Sequence, residues 1–134
     1  MTYCNLIRPI RAVLIAYAIQ PIAAHAVTPA DLQAAYGALS GIAAEPDRGR
    51  QLFTTPHGRA WSCASCHGGV PTQPGKHAST GKPIAALAPA FNPERFVDAD
   101  KTEKWFRRNC NDVMGRECTA AEKADVIAWL RTLK

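Results

Sequence analysis

The sequence predicts an all-α domain built from short helices. Three observations carry that expectation. Apolar residues recur at helical spacing in several segments, most of them opened by a residue that can cap a helix. No stretch alternates apolar and polar residues as a half-buried strand does. Residues 68–93 are rich in Gly, Pro, Ser and Thr and carry no period at all, a long loop for a chain of 134 residues. Charged residues amount to 20%, which excludes the disordered and coiled-coil classes.

The first segment is expected to lie outside the fold. Arg8 and Arg11 form a positive start, residues 12–19 (AVLIAYAI) a short apolar run, and Ala24-His25-Ala26 a small-residue cleavage signal. Residues 1–26 are therefore expected to be a cleaved signal peptide and residues 27–134 the domain. Gln20 and Pro21 stop the apolar run well short of the roughly 20 residues a membrane span needs. With no twin-arginine pair, the general export route and a periplasmic location follow. Loss of the signal leaves fourteen basic against eleven acidic residues, a balance of +3. That suits an acidic protein partner and is too weak to argue for nucleic acid.

Thr28 can cap the first helix, with Pro29 at its first position, Asp31 in its first turn, and Leu32, Tyr36 and Leu39 on one face. Gly41 and the Glu45-Pro46 step end it. A second helix is expected from Pro46 through Phe53, with Gly49 and Phe53 on one face. Residues 54–62 form a loop. After the long loop, Asp100 and Glu103 resemble a helix start, and that helix carries Trp105, Phe106 and Asn109. Thr119 and Glu122 make a capping box for the last helix, whose Val126, Trp129, Leu130 and Leu133 form an apolar stripe, with Arg131 and Lys134 at its C-terminal end. A core of this size is thin, and small domains of this kind usually need a staple or a large apolar cofactor.

The cysteines offer both. Cys4 leaves with the signal, so Cys63, Cys66, Cys110 and Cys118 remain. An exported protein does not easily keep thiols loose. Cys63-Ala64-Ser65-Cys66-His67 is the C-x-x-C-H signature of covalent haem attachment. One turn of chain brings two thiols to the two vinyl groups on one porphyrin edge, and the next residue, His67, is placed to bind the iron. Small residues at 64 and 65 let the turn lie close to the ring. Three rival readings are a zinc site completed by the later cysteines, a thioredoxin-like redox pair, and a plain Cys63–Cys66 disulfide. The 110-to-118 spacing does not match a zinc knuckle, the βαβ context of a redox pair is absent, and the export signal and wrapping loop favour haem c.

The second axial ligand decides between electron carriage and ligand binding. From the residues alone, Met114 is the one methionine left, and His57 and His77 are further candidates. Asn109 by itself reads as a helix C-cap. The wider pattern resembles a narrow family, the sphaeroides haem proteins, which are oxygen-binding class I cytochromes c with an asparagine as sixth ligand. The matching stretches are C-x-x-C-H at 63–67, Thr80-Gly81-Lys82 to Leu87-Ala88-Pro89, Lys104-Trp105 with Arg108-Asn109-Cys110-Asn111, Gly115-Arg116 with Cys118-Thr119, and Glu122-Lys123-Ala124-Asp125 with Ala128-Trp129-Leu130.

That resemblance implies a single class I cytochrome c domain around one covalent haem c. It implies His67 and Asn109 as iron ligands, with Trp105 shielding the distal side or packing in the core, and a Cys110–Cys118 disulfide. Gly49 and Phe53 would cross Val126 and Trp129, one of Arg107 and Arg108 would pair a haem propionate while at least one is solvated surface, and a carbonyl of residues 83–89 would accept the His67 ring N–H. The implied function is electron transfer by an iron that opens to a diatomic ligand, oxygen or nitric oxide. The implied partners are a dihaem cytochrome c and a membrane cytochrome b. A permanently six-coordinate His67/Met114 carrier is the alternative. An enzyme acting on oxygen or nitric oxide comes third, because no general acid or base stands beside Asn109.

Overall fold

The computed structural model describes residues 27–134, so the expected signal at 1–26 lies outside the described residues. Five helices follow in order: α1 Pro29–Ser40, α2 Pro46–Thr54, α3 Ala64–His67, α4 Ala99–Met114 and α5 Ala120–Thr132. A small hairpin, β1 Gly75–Lys76 with β2 Pro83–Ile84, stands between α3 and α4. The strands pair antiparallel, Gly75 opposite Ile84. The expectation of no strand is corrected at this one place: a ladder two residues long is too short to leave a period in the sequence.

The ends of the helices follow local chemistry. Thr28 and Asp31 close a capping box on α1, Thr119 and Glu122 another on α5. Gly41 ends α1 and Gly115 ends α4, both in the left-handed conformation that costs glycine nothing. The N-cap of α4 is Asp98, whose side chain accepts from the Lys101 N–H, two residues before the expected start at Asp100.

α5 is the centre of the molecule. Residues 123–130 are all buried, more than the single stripe expected, because α1 and α2 both pack on it. Leu32 and Tyr36 of α1 join Ala124 and Ile127 in one cluster; Phe53 of α2 joins Val126, Trp129 and Leu130 in a second. Leu39 departs from the expectation: it is 77% exposed, so the buried face of α1 ends at Tyr36. Phe96 and Phe106 touch both clusters and bring α4 onto them.

The expected crossing of α2 and α5 is present. A Cβ on Gly49 would lie 2.0 Å from the Asp125 carbonyl oxygen, so no other residue fits there without parting the helices. Asp125, buried on α5, accepts from the Glu45 backbone N–H at 2.6 Å and from Arg48 at 2.7 and 2.8 Å, which caps α2 from outside. A second polar knot fixes α4. The Lys123 ammonium, itself buried, meets both oxygens of Glu103 at 2.6 and 2.8 Å, and the Tyr36 hydroxyl donates to the same carboxylate at 2.9 Å.

Lys123 is the main reason the Glu103 carboxyl is held below the ordinary glutamate range, with the Tyr36 hydrogen bond helping and burial opposing. A carboxyl depressed in the folded state adds stability above its unfolded pKa and loses it as pH falls through the folded value. Glu103→Gln should therefore lower stability at neutral pH and flatten its decline on acidification below the usual glutamate range. Denaturant midpoints of the two proteins across that range check this.

Candidate functional site

The attachment turn is α3 itself. The Cys66 and His67 N–H groups both donate to the Cys63 carbonyl, at 3.3 and 3.1 Å, so the two thiols and the imidazole project from one turn of chain. Ser65 Oγ accepts from the Ser62 N–H at 3.0 Å and holds the entry. Cys63 and Cys66 are both unpaired. Burial, with the neighbouring Cys66 assisting, pushes the Cys63 thiol up to about 11. Burial also pushes His67 down to about 4, and the positive charge of Arg95 acts in the same direction. At neutral pH the His67 ring is thus neutral, the form in which imidazole binds a metal. Its ring centroid lies 6.0 Å from that of Phe53, which packs at 5.0 Å on Trp129.

The hairpin supports this turn from behind. A Cβ on Gly75 would lie 2.0 Å from the Cys66 carbonyl oxygen and 3.0 Å from the His67 Cα. Ala78 N–H donates to Cys66 Sγ at 3.3 Å. Sequence reasoning missed Gly75: in a loop full of Gly and Pro it looks like any other turn residue. The carbonyls of 83–89 are engaged differently from the expectation. Ala85 and Ala86 accept from Arg95, and Ala86 also from Asn92, while Leu87 and Ala88 donate to the Pro71 carbonyl. Among the described residues no carbonyl of that loop meets the His67 ring.

α4 carries the expected distal residues. Asn109 lies well inside the helix, five residues before its end at Met114, so it is not the C-cap; Gly115 is. The other two described asparagines spend their amides on backbone carbonyls, Asn92 on Ala86 and Asn111 on Arg107. The half-buried Asn109 side chain makes no hydrogen bond to any described residue. Trp105, one turn earlier on the same face, is 43% exposed, so it is not a core residue; Arg108 lies over its ring at 5.6 Å. Met114 is about 140° round the helix from Asn109, at roughly 100° per residue. Its sulfur rests 3.6 Å from Cys118 Sγ. His57 is bonded to the Leu52 carbonyl at 2.8 Å, and His77 to Ser79 and Thr80 within its own turn.

Cys110 and Cys118 form a disulfide across the α4–α5 connection. The same connection is braced by Arg116, which grips both oxygens of Glu122 at 2.6 and 2.8 Å. With the later cysteines bonded to each other, no zinc site can be completed from them, and among the described residues no cluster of three or more His, Cys, Asp or Glu side chains is arranged for a metal ion. No helix among the described residues is long and apolar enough to cross a membrane.

This fold and this turn define a helical c-type cytochrome domain. The comparisons agree. A family model described as a domain of unknown function (DUF1924) matches residues 40–130. The cytochrome c-type protein SHP of Cereibacter sphaeroides is 48% identical over 114 residues, covering 82% of this chain and 88% of that protein. Cytochrome c'' of Methylophilus methylotrophus is 49% identical over 80 residues, 60% of this chain and 56% of that protein. Among solved structures, oxidized SHP, described as an oxygen-binding cytochrome c, superposes with a TM-score of 0.75 at 46% identity, covering 81% of this chain and 99% of that one. Oxidized cytochrome c'' gives 0.71 at 37% identity, covering 79% and 94%. The chain belongs to the SHP family of class I cytochromes c, and its cofactor is covalently bound haem c with its iron.

The residues present fit that group. The two thiols of the attachment turn stay free while the other pair is oxidised. The imidazole beside them is neutral and desolvated. The domain is short of core, and Trp105 and Phe91 are left 43% and 44% exposed by the chain alone.

The disulfide closes a loop of about nine residues, for which chain entropy gives roughly 2–3 kcal/mol. Replacing both Cys110 and Cys118 by Ala should cost about that much stability and leave haem attachment intact. Denaturant unfolding of the purified holoprotein, with its haem-to-protein ratio, measures both.

Proposed function

We propose that this protein is an exported, periplasmic monohaem cytochrome c that carries electrons and whose weakly ligated iron opens to a diatomic ligand such as oxygen or nitric oxide. Cys63 and Cys66 form the thioether links. His67 would hold the iron from the attachment side, and Asn109 would hold it in the oxidised state. The bound haem supplies one-electron chemistry and a sixth coordination position. The chain decides how firmly that position is closed.

The observation that carries this reading is the state of Asn109. Its amide is half buried, free of every described hydrogen-bonding partner, and on the same helical face as the partly exposed Trp105. An amide oxygen is a weaker ligand than imidazole or thioether, above all for ferrous iron. Such a ligand would close the site in the oxidised protein and yield on reduction. Trp105 then limits the entry of water. The relative SHP is described as oxygen-binding, which supports the same assignment. The expected redox partners are proteins presenting acidic surface, such as a dihaem cytochrome c or a membrane cytochrome b.

Met114 remains the alternative sixth ligand, and its contact with the disulfide argues against it. Two variants separate them. Asn109→Ala should change the sixth ligand in the absorption and electron paramagnetic resonance spectra of the oxidised protein, and Met114→Leu should leave those spectra unchanged. The opposite pair of results makes the protein a His67/Met114 carrier.

A further inference from the structure

Among the described residues one residue other than glycine has a positive φ: Phe96, at 61°. A bulky residue rarely adopts that conformation, and a glycine would take it without cost. Such a bend persists only where its surroundings hold it. Phe96 stands two residues before Asp98, the cap of α4. The bend lets its ring turn back beneath the helix that follows. There it packs against the α1–α5 cluster and the α2–α5 cluster at once, and its ring centroid lies 6.4 Å from that of Phe106, at 31°.

Phe106 is the middle of the hold that α4 has on the core. The knot at Glu103 fixes the helix before it, and the disulfide at Cys110 fixes it after. Between those two points Phe106 is braced by two rings. One is Phe96; the other is Tyr36 of α1, which meets it edge-on at 6.0 Å. Asn109 follows Phe106 by three residues, one turn further along and on the adjoining row of the helix. Any movement of Phe106 toward α5 is therefore a movement of Asn109. The ring of Phe96 stands where that movement would take place.

We propose that Phe96 is the spacer that positions Asn109: its ring, held between Phe106 and the α5 clusters by a strained backbone, sets the distance of α4 from the core and with it the reach of the sixth ligand. This rests on the reading that Asn109 closes the iron in the oxidised protein. A strong ligand tolerates some misplacement of its helix, and a weakly binding amide oxygen does not. A smaller side chain at 96 lets α4 settle toward α5, because a core partly closes the space that a lost group leaves. Asn109 then holds the iron less firmly.

The test is the binding of cyanide to the oxidised holoprotein, which requires Asn109 to leave. At saturating cyanide the rate is limited by that departure. It should rise several-fold in Phe96→Leu and further in Phe96→Ala, and the leucine variant keeps the test open if the alanine variant does not fold. Asn109→Ala is the background that separates placement from general loosening: there Phe96→Leu should leave the cyanide rate unchanged. An equal rise in both backgrounds makes Phe96 a packing residue and overturns the spacer, as does no rise in either. If Asn109→Ala alone keeps the oxidised spectrum and cyanide rate of the wild type, the Asn109 reading fails and the spacer falls with it.

Discussion

The contact between Gly49 and the backbone of Asp125 and Val126 is the constraint on which the haem side of this molecule depends. It allows α2 to lie directly on α5, with only a hydrogen between them at that point. From that crossing, Phe53 is carried onto Trp129 and onto His67. Asp125 uses the same proximity to cap α2 through the Glu45 N–H and to bind Arg48. Gly75 then repeats the device under the attachment turn, where the hairpin comes so close to the Cys66 carbonyl that a side chain would separate them. Two glycines, far apart in sequence, thus set the position of one histidine.

The proposed distal helix, α4, is organised by opposite means. α4 is held on both sides of Asn109: toward its start by the Glu103–Lys123–Tyr36 knot, and toward its end by the Cys110–Cys118 bond, which begins at the very next residue, and the Arg116–Glu122 pair beyond it. A ligand that binds iron weakly needs its backbone fixed by something other than the metal bond. If Asn109 is the ligand proposed above, the helix stays where it was when the metal bond breaks and the ligand can return. The disulfide therefore does more for geometry than its modest contribution to stability suggests.

Much of this was legible in the residues, for identifiable reasons. Caps and boxes at Thr28 and Thr119 are local chemistry, so the starts of α1 and α5 were readable, while α5 ends at Thr132, short of the expected Lys134. The C-x-x-C-H turn announces its own chemistry, and the α2–α5 crossing follows from Gly49 four residues before Phe53. What was hidden depends on tertiary contacts. Leu39 sits on the apolar face of α1 yet finds nothing to pack on. Gly75, Arg95 and Phe96 acquire their roles only from what the folded chain brings beside them. Asn109 is the instructive case: alone it resembles a cap, and only the wider pattern around it pointed to the iron. The structure removes the cap by carrying α4 on to Met114.

The central claim is that the sixth position is closed weakly and opens on reduction. Exposure of the reduced wild-type holoprotein to carbon monoxide, followed by its absorption spectrum, tests this most directly. The account predicts a high-spin ferrous spectrum that converts to the carbon monoxide form without any denaturing treatment. A low-spin ferrous spectrum that carbon monoxide leaves unchanged would contradict it.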